Sequence, residues 1–454
     1  MPLYIAVHGG AGYHAVEDRK ATKRALKASI QAALGTPKAA DSQRLEAGGS
    51  SSPAHSCLDT AHYGGNLPRE DTALSAIAAA IRVLEDDEVL NAGRGSNLTE
   101  SGTVECDAAV MLARPAHAEF GSVAAVSGVK NPVCAARAVL EGARRADALG
   151  RVPPLTLAGA GARDFAARHG VEVVPGGALI TERARAEWEY WTARLRDDTA
   201  SGTAEGIPKA ERAHIRPLHA HQDTVGAVCL YFPEAGAPSA AAGVSSTRGA
   251  SERPRYTVPD AGLVRSGRRM RSGGWRAVSL NVWMCSVKFT IFVVGTGEAI
   301  MRANLARRVA EELDRAWDAQ VPEHEMACSE HGDGDKEDED TELDVHQILY
   351  DLLQREFGHD GREAGWGGCD KPTVGVLVMV GNALTVRLYS AFTAAGMAVA
   401  YAREGVSGEA FYLVTGSFFS QNVRAHILQQ ERAKPGSVYV ETHTLHSNAT
   451  RKTR

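Results

Sequence analysis

No stretch of this 454-residue chain is long and apolar enough to cross a membrane. The most apolar run, "FTIFVV" at 289–294, falls far short of the roughly 20 residues that a spanning helix needs. There is no excess of positive charge either. The formal net charge of −5 excludes a broad electrostatic footprint for nucleic acid. The 7 cysteines, at 57, 106, 134, 229, 285, 328 and 369, include no C-x-x-C pair. An odd, scattered count of this kind suits reduced thiols better than a disulfide framework. The apolar run in the opening "MPLYIAVHGG" is too short for the core of a secretory signal. Together these absences predict a soluble protein of the cytoplasm, the nucleus or both, without membrane partners or direct nucleic-acid binding.

Several catalytic signatures are missing as well. The opening strand runs into "HGGAG" at 8–12, but neither this turn nor "NAGRGSN" at 91–97 has the spacing of a dinucleotide or phosphate loop. No G-x-S-x-G elbow is present, so a serine hydrolase of that type is unsupported. His324, Cys328 and His331 stand near an acidic tract, "HGDGDKEDEDTE". That tract carries Asp338 where a calcium loop requires glycine. The plain reading is a solvated charged loop, with no metal and no organic cofactor.

What is present is an alternation of strands and helices without a strict βαβ order. A strand at "LYIAV" is followed by a helix over about 18–35, which stops at Gly35. Residues 36–69 are rich in Ser, Gly, Pro and Ala and read as a surface loop. A strong helix follows Asp71, a residue type suited to an N-cap. Strands are expected across 104–110 and through "GSVAAVSGV", then a helix near Pro132. The charged, turn-rich stretch after 182 ends in an exposed linker at about 194–223. Strands resume at 225–231 and 239–245, and a helix fits "EAIMRANLARRVAEELDRAWD". An acidic loop spans 321–344, and "TVGVLVMV", "ALTVRLYSAF" and "GMAVAYA" read as a closing meander. Mixed runs of this kind favour a layered α+β domain.

The most informative stretch is "HQDTVGAVCLYF" at 221–232, where a strand begins abruptly on Asp223–Thr224. A threonine hydroxyl is a poor nucleophile until a base takes its proton. A free α-amine on the same residue, with a reference pKa of about 7.7–8.0, supplies that base. Thr224 acquires such an amine only if the bond after Asp223 is cut. A polar linker abutting a rigid strand suits that event, although an ordinary loop-to-strand join has the same appearance.

Three stretches taken together bear a resemblance. "HGGAGYH" at 8–14, "NAGRGSNLTESGTVECDAAVM" at 91–111 and "QDTVGAV" at 222–228 are similar to the plant-type asparaginase superfamily of N-terminal nucleophile hydrolases. Within it they look like the taspase, or threonine aspartase, branch. "GTGEAIMRANLARRVAEEL" and "PTVGVLVM" extend the match. The resemblance implies a four-layer αββα sandwich and self-cleavage into an α chain, 1–223, and a β chain, 224–454. It implies a threonine-type endopeptidase that cuts protein substrates after aspartate, with isoaspartyl peptidase or L-asparaginase activity as the alternative. It allows a homodimer. Thr224 takes the nucleophile's place and Ser246 that of a second hydroxyl beside it. Gly295 takes the place of the glycine whose N–H faces the oxyanion. Gly9, Gly10 and Asn91 belong to the loops around the substrate.

The chain departs from the family between about 247 and 294. Tyr256 occupies the place of an arginine that grips the substrate's carboxylate, which leaves Arg255 as the nearest substitute. On a strand, that one-residue shift turns the side chain to the other face. Val294 stands where relatives carry a hydroxyl. Residues 247–294 are therefore either an intrusion that is not true coding sequence or the mark of a degenerate relative acting as a scaffold. The same stretch holds the one dense basic run, Arg265 to Arg276, a pattern that can serve as a nuclear address.

Overall fold

The computed structural model describes residues 3–12, 14, 16–35, 71–114, 117–145, 147–201, 224–233, 238–247, 289–295, 299–300, 303–320, 344–358, 372–381, 385–404, 424–429 and 437–446. Two sheets form its centre. The larger has 8 strands, running β11 (Arg424–Gln429), β10 (Gly396–Arg403), β1 (Leu3–Ala11), β5 (Val225–Tyr231), β6 (Ser239–Thr247), β2 (Cys106–Arg114), β3 (His117–Val126), β4 (Thr156–Ala158). The smaller has 4, running β12 (Tyr439–His446), β9 (Thr385–Phe392), β8 (Val374–Gly381), β7 (Phe289–Gly295).

Side chains alternate across each strand, and here they sort into three separate cores. Odd-numbered residues of β5 and β1, such as Val225, Cys229, Ile5 and Val7, face α1 (Arg19–Leu34) and α2 (Thr72–Asp86). Even-numbered ones, such as Val228, Leu230, Tyr4 and Ala6, meet Phe292, Leu377 and Leu388 from the other sheet. On the far side of the small sheet, Ile291, Val293 and Val376 pack on α6 (Leu305–Gln320) and α7 (Val345–Phe357). Helix, sheet, sheet, helix is the expected four-layer sandwich.

Sequence explains the packing of the helices. α2 is alanine-rich and buried almost all round, so it lies close against β5 and β6. α6 buries Leu305, Ala306, Val309, Ala310 and Leu313 and exposes Arg307 and Glu311, the stripe expected of a helix over a sheet. In α7, Asp344 accepts the Gln347 N–H at 2.9 Å and caps the first turn. α3 (Pro132–Ala143) crosses β3 where Gly121 has no side chain; an added Cβ would sit 2.5 Å from the Ala136 carbonyl oxygen.

Several expectations need correction. "HGGAG" is not a turn, since β1 continues through it to Ala11. Asp71 does occupy the N-cap position of α2, but its side chain caps nothing there and instead takes an ion pair from Arg114 at 2.6 Å. The first part of the stretch expected as an exposed linker, from about 194, is helical, because α5 (Glu182–Ser201) runs through Ser201; residues 202–223 lie outside the described residues. The closing meander breaks after β9. β10 crosses to the large sheet and pairs with β1, where a strand buried along its whole length finds cover on both faces. Helix α4 (Gly159–Arg168), α7, β11 and β12 were not anticipated. Cys106 and Cys229 are free and buried.

Residues 289–295 form β7, which pairs residue by residue with β8 and is buried on both faces. Thr247 closes β6. What stays unassigned is 248–288, outside the described residues along with Arg255, Tyr256 and the basic run.

The contact at Gly121 is testable. Gly121→Ala should force α3 away from β3 and lower unfolding stability by about 3 kcal/mol, the upper range for overpacking a tight contact. Urea denaturation measures this, and a change below roughly 0.5 kcal/mol, typical of a surface site, would show that α3 does not pack there.

Candidate active site

Thr224 stands immediately before β5 and is 6% exposed. β5 is the inner strand between β1 and β6. It pairs Val225 with Ser245 and Gly226 with Val244 on one side, and Gly226 with His8 on the other. One further step of the β5–β6 register brings Thr224 opposite Ser246, which is 3% exposed and itself opposite Asp107 on β2. Residues opposite one another on neighbouring strands share a face. Thr224, Ser246 and Asp107 therefore share the face that looks toward the small sheet. The Asp107 carboxylate accepts the Ala125 N–H at 2.6 Å.

The small sheet closes the site from above. Phe292 lies over Gly226, where an added Cβ would come within 2.8 Å of its ring. Two residues on, Val294 lies beside Gly375, which backs against Ala11 at the end of β1. Gly295 thus ends β7 at the same edge as Thr224. Its φ of +130° is a conformation that side-chain-bearing residues rarely adopt, and an added Cβ would run into the Thr373 carbonyl. The structure brings Thr224, Ser246 and Gly295 to one end of the space between the sheets.

Gly9 and Asn91 form a second group, on the helix side of β1. They line a small cleft with His14, Asp18 and Leu90. Asn91 is buried and its side-chain oxygen accepts the Asn97 N–H at 2.9 Å, which ties off the glycine-rich loop. Gly10 joins the two groups: its N–H donates to His8 Nδ1 at 3.2 Å and its carbonyl lies 3.4 Å from His14 Nε2. Asp223 and Arg255 lie outside the described residues.

Three buried titratable groups nearby escaped the sequence reading. His8 is fully buried, and burial pushes its pKa down to about 3, so the ring is neutral. Glu85, at the end of α2, is 0% exposed, and burial raises its carboxyl pKa to about 8. It accepts the Val133 N–H at 2.9 Å, capping α3, and its second carboxyl oxygen has no hydrogen-bond partner among the described residues. The Cys106 thiol is pushed up to about 12, first by burial, although it faces Ser96 at 3.4 Å, and is not a nucleophile near neutral pH. The signals were in the motifs, since His8 and Cys106 stand in "HGGAG" and "ECDA", but neither motif shows which way a ring or thiol faces.

With this geometry in view, comparison with known proteins gives the lineage. The sequence profile of the family described as Asparaginase matches residues 55–329. This chain belongs to the asparaginase family. It is 27% identical to the isoaspartyl peptidase/L-asparaginase of Xenopus laevis, over 69% of this chain and 77% of that protein. It is 31% identical to the protein of the same name from Bos taurus, over 55% of this chain and 67% of the relative. A plant-type L-asparaginase of Pyrococcus abyssi is 34% identical over 39% of this chain and 52% of its own length. The fold is accordingly that of an N-terminal nucleophile hydrolase, and the protein is a hydrolase of that family.

Glu85 generates a test of the buried layer beneath the site. A carboxyl group whose pKa rises from 4.5 unfolded to about 8 folded binds its proton more tightly in the native state. Its stabilising effect is full below pH 4.5 and is lost as pH climbs toward about 8. Glu85→Gln mimics the protonated form and keeps an acceptor for Val133. Its melting temperature should fall less between pH 5.5 and 8.5 than the wild type's, and parallel curves would contradict a buried, protonated Glu85.

Proposed function

We propose that this protein is a threonine-type hydrolase that cuts itself between Asp223 and Thr224 and then cuts protein substrates after aspartate, as a taspase does. The observation that carries the reading is the position of Thr224, at the head of an inner strand and opposite Ser246. In the precursor, the Thr224 hydroxyl attacks the Asp223 carbonyl, and its proton passes to the departing amide nitrogen. The resulting ester is hydrolysed by water, which leaves a carboxylate on Asp223 and a free amine on Thr224. In the mature protein that amine takes the hydroxyl proton as Oγ1 attacks a substrate carbonyl, then gives it to the leaving amine. A second water resolves the acyl-threonine ester. The Gly295 N–H suits the developing oxyanion, and no metal or organic cofactor enters any step.

For the substrate, the names of the relatives support a second reading more directly: isoaspartyl peptides and L-asparagine, attacked at the side-chain carbonyl. The junction favours the endopeptidase. The first bond this site would break is a main-chain amide after aspartate, in the context Gln222–Asp223, and a site shaped for that bond accepts the same bond from another chain. An aspartate carboxylate in the pocket calls for a cationic partner, a role we assign to Arg255.

Matured protein and a Thr224→Ala control, each given a peptide with an internal Q-x-D site, an isoaspartyl dipeptide and L-asparagine, separate the readings. Cleavage of the peptide after aspartate, absent from the control, is expected. Turnover of the two small substrates alone would establish the second reading. Inertness toward all three in a protein that has matured would contradict both, whereas a protein that stays a single chain would leave the scaffold.

A further inference from the structure

The ring of His8 has no part in the chemistry above, yet it lies close against the nucleophile's strand. It lies on β1 directly opposite Gly226, on the same face as Thr224, which is the diagonal neighbour within reach of a ring of this size. Gly226 puts no side chain between them: a Cβ there would lie 2.5 Å from His8 Nε2. The ring centroid is 4.3 Å from that of Phe292, which fixes its plane. Because Nδ1 accepts from the Gly10 N–H, the proton of the neutral ring sits on Nε2. That nitrogen is buried and has no hydrogen-bond partner among the described residues. Leaving such a donor unpaired is unfavourable, a cost the fold carries at this point.

We infer that His8 is a positioning residue whose Nε2–H is directed to the α-amine that self-cleavage creates on Thr224, reaching it directly or through one water. The inference rests on the reading of Thr224 as a chain terminus. A donor aimed at the amine's lone pair favours the neutral amine over the ammonium form and so lowers its pKa. The neutral amine is the form that accepts the hydroxyl proton. The other titratable or charged groups on this face are few. Asp107 on β2, the charged group nearest Thr224 by register, favours the ammonium form. Tyr4 on β1 and Tyr401 and Arg403 on β10 stand toward the far end of their strands. From the small sheet, β7 and β8 bring Thr290, Phe292, Val294, Leu377 and Met379, none of them titratable, while β12 brings Tyr439 against Phe392, and Glu441 paired with His443, whose ring stacks on Tyr401. His8 and Asp107 therefore pull the amine in opposite directions.

Competitive acetylation of the Thr224 amine across pH, read by mass spectrometry, titrates it without requiring turnover. His8→Phe keeps a ring and removes the donor, and should raise the midpoint by about 0.5 pH unit or more. His8→Gln, whose amide nitrogen reaches to a similar depth, should return the midpoint toward the wild-type value. A midpoint unmoved by His8→Phe would overturn the inference. The unsubstituted protein gives a second readout for the case in which the variants fail to fold or mature. The 15N signal of His8 Nε2 should shift with the same midpoint as the amine, and a signal that stays still through that titration would equally overturn it. A protein that never exposes a Thr224 terminus would instead remove the functional reading beneath it.

Discussion

The site depends on β5 being held in register by strands on both sides. β5 has buried side chains on both faces and pairs with β1 and β6 over its length. A slip of one residue would turn Thr224 from the space between the sheets to the helix side, where Val225 and Ala227 now lie in the apolar core. The register is therefore enforced by the burial of Val225, Ala227 and Cys229 below and Val228 and Leu230 above. The nucleophile's aim is a by-product of core packing, and the same pairing sets Ser246 beside it.

Around that strand the protein keeps polar groups in places where burial disfavours them. Glu85 holds its proton under the sheet, His8 stays neutral between the sheets, and Asp107 lies buried behind Ser246. Each costs stability that an apolar residue would not. Natural proteins depart from the most stable arrangement chiefly where function needs it. Glu85 links the start of α3 to the floor beneath β6, and His8 links Gly10 to the side of Gly226. Both hold backbone at the end of the sandwich where Thr224, Ser246 and Gly295 meet.

Much of this was legible in the sequence. The strand from Val225, the helix from Thr72 and the strand at Cys106 announced themselves by apolar period and by the glycine-rich loops beside them. The four layers came from likeness of motif, because no local pattern states how two sheets stack. β10 shows the limit: "GMAVAYA" follows β9 closely and looks like its hairpin partner, yet it crosses to the other sheet, where both of its faces find cover. β7 shows another. "FTIFVV" stands in the stretch that the motifs mark as atypical, and its pairing with β8 reveals that it serves as a strand of the small sheet. His8 and Glu85 were invisible as site residues for a plainer reason. A motif gives residue types and spacing, and neither says which buried group lacks a partner.

The account turns on whether the chain makes its own nucleophile. The decisive measurement is the intact mass of the purified protein after incubation at neutral pH, with N-terminal sequencing of any fragment and a Thr224→Ala control. Two chains, the second beginning at Thr224 and both absent from the control, are the predicted result. A single persistent chain of 48.2 kDa in both samples would contradict it and leave a fold of this family without its catalytic terminus.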